Sequence, residues 1–226
     1  MNTKERLVIV GSDREALQYL YTACKDIAEV VGIVQEKPVS RFKVFMRRIK
    51  NFGFIHTCGQ VLFVLLIVPA LRVLSRSRIR EIQERVVTSS NTIPSIHHVT
   101  SINDTESITL LQSLAPSVVL VYGARLISSR ALKTVTVPFI NIHAGITPWY
   151  RGGQGAYWAL YNNEPGRAGV TVHLVDTGID TGSILAQALI AVSPQDTFVT
   201  YPLLQLHEAQ LLVRRLLAEG KESWRP

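Results

Sequence analysis

"RLVIVGSDREALQYLYTACKDIAEVVGIVQE" (Arg6–Glu36) begins as an apolar, β-branched run that stops on Gly11 and Ser12. Asp13 then stands where a helix N-cap belongs, and Leu17, Leu20 and Tyr21 recur at helical spacing. A second apolar run, Ala28–Glu36, reads as another strand. Strand, helix and strand in this order predict a parallel pair joined by a right-handed crossover. The rhythm resumes with a strand at Ile93–Val99, a helix over about 104–114, the strand Pro116–Ala124 and the helix "SSRALKTV". Beyond these come a strand starting at Phe139, a helix over about 154–163 and the strands Gly169–Val175 and "SILAQALIAV". The expectation is an α/β fold: an open, mostly parallel Rossmann-like sheet with helices on both faces. Such sheets take ligands at the carboxyl ends of their strands.

One segment breaks the rhythm. Between Val39 and about Val87 lie a basic helix candidate (Phe42–Lys50), the apolar run "VLFVLLIVPALRVL" and a second basic stretch, "SRSRIREIQER". Pro69 interrupts the apolar run, and Val61–Leu71 is eleven residues, short of the roughly 20 that span a bilayer. The expected organisation is therefore one domain, 1–226, with a mostly helical insert at about 39–87 and a closing amphipathic helix at about 201–219. So apolar a segment needs covering, by the domain's own surface, by a second subunit of a homodimer, or by peripheral membrane contact.

The net charge of +7 does not mark the whole chain as basic. Arg41–Arg85 holds ten Lys and Arg against Glu81 and Glu84, a net of +8, so the remainder is close to neutral. That distribution argues against a nucleic-acid partner. Cys24 and Cys58 cannot build a disulfide framework and suit a reducing compartment. The opening "MNTKERLVIVGSD" lacks the apolar region of a signal peptide. A cytoplasmic protein is expected, with membrane association through the insert left open.

Chemistry concentrates in "FINIHAGITPWYRGGQGAYWAL" (Phe139–Leu160). Asn141 and His143 lie two apart on a strand and so share a face, next to the sharp turn "AGITP". An amide donor beside an imidazole suits acyl transfer, one group stabilising an oxyanion while the other moves a proton. A strand histidine satisfied by a neighbouring carbonyl is the plainer alternative. The loop "VDTGIDTGSI" (Val175–Ile184) is either simple turn chemistry or the source of a carboxylate facing that strand. His173 competes with His143 and is expected to be a satisfied sheet histidine.

These two stretches, "NIHAGITPWYRGG" and "GVTVHLVDTGIDTGSILAQ", resemble the catalytic domain of N10-formyltetrahydrofolate-dependent formyltransferases, the sugar N-formyltransferases among them. The shared pattern is Asn-x-His, a short turn and Pro-x-Tyr-x-Gly. Gly-x-(Thr/Ser)-x-His and an Asp-(Thr/Ala)-Gly loop follow. It covers about 116–192 strongly and 6–36 only as a generic β-α-β. The resemblance implies Asn141, His143 and Asp180 as the catalytic set and N10-formyltetrahydrofolate as co-substrate, without a metal. Backbone contacts to the pterin are implied at Gly123, Arg125, Leu126 and Ile127 and at Val175, Asp176 and Thr177. Tyr150, Arg151 and Gly153 would border the acceptor, Arg151 suiting a phosphate or carboxylate and Tyr150 and Trp149 suiting a sugar or base.

The departures narrow the expectation. "GITP" replaces the usual Ser-Leu-Leu-Pro turn beside the amine. "GSDREA" after the first strand sets Asp13 and Glu15 where a phosphate-binding loop would sit, which disfavours glycinamide ribonucleotide. About 34 residues follow Val192, which disfavours the tRNA-directed members with their extra C-terminal domain, and no regulatory domain of a formyltetrahydrofolate hydrolase precedes. A nucleotide-linked amino sugar for surface polysaccharide remains the expected acceptor. The alternatives are another amine such as glycinamide ribonucleotide, or a membrane-peripheral binding module derived from the fold. A dehydrogenase needs Gly-x-Gly-x-x-Gly after the first strand, and "GSDREAL" lacks it.

Overall fold

The computed structural model describes residues 4–85 and 95–224. Seven strands form one sheet: β1 (Arg6–Gly11), β2 (Glu29–Glu36), β3 (Ile96–Val99), β4 (Val118–Tyr122), β5 (Phe139–His143), β6 (Gly169–Leu174) and β7 (Ile184–Leu189). Their order is β3-β2-β1-β4-β5-β6-β7. The first five pair in parallel, and β6 and β7 are antiparallel to their neighbours. Ile93 and Pro94, read as the start of the third strand, lie outside the described residues.

β1 sits mid-sheet and is apolar on both faces. Leu7 and Ile9 face α1 (Arg14–Cys24), meeting Leu17 and Leu20, while Val8 and Val10 join the cluster on the opposite face. This is the near-continuous apolar run expected of a strand covered on both sides. Asp13 caps α1 as expected, its carboxylate accepting from the Ala16 amide at 3.0 Å. Each fully buried Leu or Ile contributes roughly 1.5–3 kcal/mol.

The insert differs from its sequence reading. After α2 (Arg41–Phe52) the chain turns at Gly53, whose φ of 82° suits a residue without Cβ. It continues as α3, a single helix of 21 residues, Phe54–Leu74, with a mean hydropathy of 2.1 over its most apolar stretch. Pro69 does not interrupt it. Proline lacks an N–H, and its ring crowds the carbonyl one turn earlier. Just before it the helix widens into a π turn, Phe63–Ile67, with the Val68 amide reaching back to the Phe63 carbonyl. The apolar helix also begins well ahead of Val61, because Phe54–Gln60 continues into it. The expected eleven-residue run is therefore too short.

α4 (Arg76–Arg85) returns the chain to the domain. Ile82 is fully buried in a cluster with Ala156, Ala159 and Tyr201. Arg78 forks onto Asp196, Nε to Oδ1 at 2.9 Å and Nη2 to Oδ2 at 3.0 Å. Val86 and Val87, the expected end of the insert, lie outside the described residues. The remaining helices are α5 (Thr105–Leu114), α6 (Ser129–Thr134), α7 (Gly155–Tyr161) and α8 (Tyr201–Glu219).

Burial pushes the Asp196 carboxyl up, but the Arg78 fork, with Ser193 and Thr200, more than reverses this and brings it down to about 2. A folded value below the unfolded one, about 3.9, stabilises above the unfolded value and stops doing so as pH falls through the folded one. Asp196→Asn should thus cost about 2 kcal/mol at neutral pH. Urea unfolding of both proteins at several pH values should show the gap closing between about pH 4 and pH 2.

Candidate functional site

β4 and β5 are parallel neighbours and end at the same edge of the sheet, with Val121 paired to Asn141. β6 returns antiparallel and sets His173 opposite Asn141 and Thr171 opposite His143. The loop after β6 then carries Asp180 over the end of β5. Asp180 has a φ of 50°, the left-handed region that Asp visits more readily than most residues. Gly182 sits so close that a Cβ there would lie 1.8 Å from the Leu174 carbonyl oxygen. Asp176 laces the loop, accepting from the Thr181 hydroxyl at 2.7 Å and the Gly178 amide at 3.0 Å.

Four side chains meet here. Oδ1 of Asp180 faces Asn141 Nδ2 at 3.3 Å and His173 Nε2 at 3.4 Å. Oδ2 faces His143 Nδ1 at 3.3 Å and accepts from the Gly152 amide at 2.8 Å. Each histidine gives its other ring nitrogen to a backbone carbonyl, His143 Nε2 to Tyr150 and His173 Nδ1 to Leu174, both at 2.7 Å. A carbonyl only accepts, so those nitrogens carry the protons and the ones facing Asp180 are bare in the neutral rings. Burial opposes ionisation of Asp180, yet a hydrogen bond from His173, the Gly152 amide and the positive charge that the two rings carry when protonated outweigh it. The carboxyl is held below its ordinary value.

His173 therefore differs from its sequence reading. It is a satisfied sheet histidine through Nδ1, and its Nε2 also faces the carboxylate. The Nε2 atom lies 3.1 Å from Asn141 Nδ2. A neutral ring accepts from that amide; a protonated ring donates to Asp180 instead. Adding one proton changes which bond is made.

A cleft of about 440 Å³ opens beside this cluster. Arg125, Leu126 and Ile127 form one wall, Val175 and Asp176 the other, and Asn141, His173 and Asp180 close the end. Gly123 and Thr177 do not line it. Gly123, at φ 61°, instead ends β4, with its carbonyl accepting from Ser12 at 2.6 Å. The Arg125 guanidinium binds the Thr100 and Lys37 carbonyls and Glu36, and its backbone amide donates to Glu36 at 2.8 Å. Glu36, 1% exposed, is thereby a buried anchor for the wall.

On the opposite side, His143 and Gly152 lie under the Trp149–Gly153 loop. Tyr150 turns inward, with its hydroxyl bonded to Glu164 and Asn162, and its carbonyl holds His143. Arg151 and Gly153 are exposed, and Trp149 is exposed with the Arg167 guanidinium 4.8 Å from its ring centre. The Gly152 amide was missed by sequence reasoning, since backbone donors leave no residue-type signal. His173 had a signal, because antiparallel pairing of the two motifs puts it opposite Asn141.

Residues 42–216 match the family model described as Formyl transferase. The chain belongs to the formyl transferase family. Curated formyl transferase relatives include methionyl-tRNA formyltransferases of Pelotomaculum thermopropionicum and of a Synechococcus strain. The first is 36% identical over 53% of this chain and 39% of its own length, the second 33% over 63% and 44%. The matches span about two fifths of those relatives' length. Among solved structures, phosphoribosylglycinamide formyltransferase of Bacillus halodurans superposes with a TM-score of 0.62 at 18% identity, covering 98% of this chain and 100% of its own. A 4-N formyltransferase of Francisella tularensis gives a TM-score of 0.54 at 16% identity, covering 95% and 70%. Both show the formyl transferase fold.

Gly145, in the altered turn, packs tightly under His143. A Cβ there would lie 2.5 Å from the Tyr150 carbonyl oxygen and 2.7 Å from His143 Nε2. Gly145→Ala should break the bond that orients His143. Gly153→Ala should not, because nothing lies within 4 Å of its built Cβ. Nitrogen-edited NMR of the imidazoles should show the His143 Nε2–H resonance lost in the first variant and kept in the second.

Proposed function

We propose that the protein transfers a formyl group from N10-formyltetrahydrofolate to a primary amine of a small molecule, a nucleotide-linked amino sugar. One observation carries this reading: an ionised Asp180 joins Asn141 and His173, at the end of a cleft, to His143 and the loop beyond. The cleft suits a flat, polar-edged ring. Val121, Ala124, Leu126, Ile127 and Val175 supply apolar walls, and loop backbone flanks them. The folate, when bound, supplies the formyl group.

The residues divide the chemistry between two sides of one carboxylate. Asn141 is placed to donate to an oxygen that gains charge as an amine adds to an acyl carbon. Both of its Nδ2 hydrogens are engaged, by His173 at 3.1 Å and by Asp180 at 3.3 Å. A proton on His173 frees one of them, because the ring then bonds Asp180. His143, fixed by Tyr150 through Nε2, has its bare Nδ1 beside Asp180, where it is placed to take up the amine proton and give it back to the leaving nitrogen. Exposed Arg151 and Trp149 offer a cation and an aromatic face to a nucleotide-linked acceptor. Asp13 caps α1 with its own carboxylate, which argues against a ribonucleotide phosphate there.

A second acceptor class follows from the names of the relatives, which are methionyl-tRNA formyltransferases. Incubation with 10-formyltetrahydrofolate and a panel of nucleotide-linked amino sugars, glycinamide ribonucleotide and methionyl-tRNA separates the classes. A formyl mass increment on one amino sugar, with loss of formyl-folate absorbance, is expected. Formylation of either of the other two alone replaces that acceptor.

His143→Asn and Asp180→Asn should each lower turnover by about 10²–10⁴-fold, the usual share of general acid–base catalysis. Both should still bind 5-formyltetrahydrofolate in calorimetry. Near-native turnover in either removes the role given to that residue, and binding of NAD with no folate binding removes the family chemistry.

A further inference from the structure

We propose that the α2–α3 hairpin seats the protein on an anionic lipid bilayer as a monotopic anchor lying in one leaflet. The proposal is independent of the acceptor and of the formyl transfer reading. Only 11% of the apolar window of α3 is buried, so it is not a core helix of the domain. Leu62, Val64, Leu65 and Leu66 are each more than half exposed, and Leu74 is 79% exposed. The turn between the helices is apolar as well, with Phe52 at 58%, Phe54 at 63% and Ile55 at 84%. Water is a poor solvent for such a surface.

Charge selects the occupant. From Lys37 to Arg80 the chain has ten Lys and Arg and no Asp or Glu. Only Arg78 among them is drawn into a buried carboxylate pair. On α2, Phe42, Phe45, Met46 and Ile49 recur at helical spacing, interleaved with Lys43, Arg47, Arg48 and Lys50. That pattern suits a helix lying at a headgroup interface. A groove of about 1,060 Å³ runs between the two arms, apolar along Val44, Phe45, Val61 and Leu65 and edged by Arg41 and Arg48. It offers an acyl chain apolar walls and an anionic headgroup two guanidinium groups. A second copy on the same face would bring an equally cationic surface against this one, which disfavours self-association.

Topology selects the mode. α3 is about 31 Å long, enough to cross the hydrocarbon layer. Both feet of the hairpin nevertheless stand on the domain, at the end of β2 and at α4, which Ile82 and the Arg78–Asp196 pair hold down. If α3 crossed, α2 would have to cross back with about 18 Å of helix carrying five cations. The hairpin therefore lies along the membrane. Halfway along α3, Phe63 packs edge-on against Phe198, and Phe198 against Tyr157. Trp158 and Tyr161 beside them are 48% and 71% exposed, amphipathic rings suited to the interface.

Vesicle flotation of the full chain tests this, using phosphatidylcholine vesicles with and without phosphatidylglycerol. The protein should float with the anionic vesicles at low salt and sink at about 1 M salt, where the screening length falls to ~3 Å. Lys43→Glu with Arg47→Glu should weaken binding by at least about 20-fold, taking ~1 kcal/mol per cation near the surface. Leu65→Asp with Leu66→Asp should abolish flotation, with 5-formyltetrahydrofolate binding or circular dichroism confirming the fold. Failure to float with anionic vesicles at low salt overturns the proposal, as does unchanged flotation of the double Asp variant. Light scattering that gives a dimer indifferent to vesicles assigns the face to a second copy instead.

Discussion

The Asp180 carboxylate is the constraint on which the site depends. Its two oxygens face two different regions: one the cleft, through Asn141 and His173, the other the Trp149–Gly153 loop, through His143 and the Gly152 amide. An anion so placed must be held against burial, and the Gly152 amide does that together with the two imidazoles in their protonated form. Its backbone conformation is uncommon for a residue with a side chain, so the loop is held by other contacts. The Asp176–Thr181 bond and the approach of Gly182 to Leu174 supply them.

The sheet delivers the partners because it changes direction at β6. A fifth parallel crossover would have carried the Gly169–Leu174 strand past the edge with its own end at the site. The antiparallel return instead registers Asn141 against His173 and runs on past Phe139, from where the following loop brings Asp180 back over Asn141 and His143. Gly145 and Gly155 let the Trp149–Gly153 loop fold back on β5. A Cβ on Gly155 would lie 2.6 Å from the Gly145 Cα. The tight turn is therefore a steric requirement for His143 to reach the Tyr150 carbonyl.

Much of this was legible in the sequence, and the parts that were not share physical reasons. β-branched runs separated by a capped helix reveal a parallel sheet, and period-two spacing sets Asn141 and His143 on one face. Residue types do not reveal what side chains spend themselves on. Arg125 is expected to offer its backbone, but nothing in its residue type foretells that its guanidinium goes to Glu36 and two carbonyls, leaving a wall and not a charge at the cleft. Tyr150 reads as a stacking surface, yet it turns toward Glu164. Pro69 reads as a stop because a proline usually ends a helix. One extra residue in the preceding turn removes the clash and keeps the axis going, which a proline count cannot foresee.

Sheet and insert obey different solvents. In the sheet, apolar side chains hide from water on both faces, so β1 needs no exposed face at all. In the insert, the same residue types face outward and the cations flank them, the arrangement of a surface whose solvent is lipid headgroup and acyl chain. The Phe63–Phe198–Tyr157 contacts join the middle of α3 to α7, and α7 begins directly after the loop that holds His143 in place. Anchored through those contacts, the site keeps one orientation to the surface. The hairpin supplies location and the carboxylate cluster supplies chemistry, which is why substitutions on α3 should move binding to vesicles while leaving the cleft's own ligand bound.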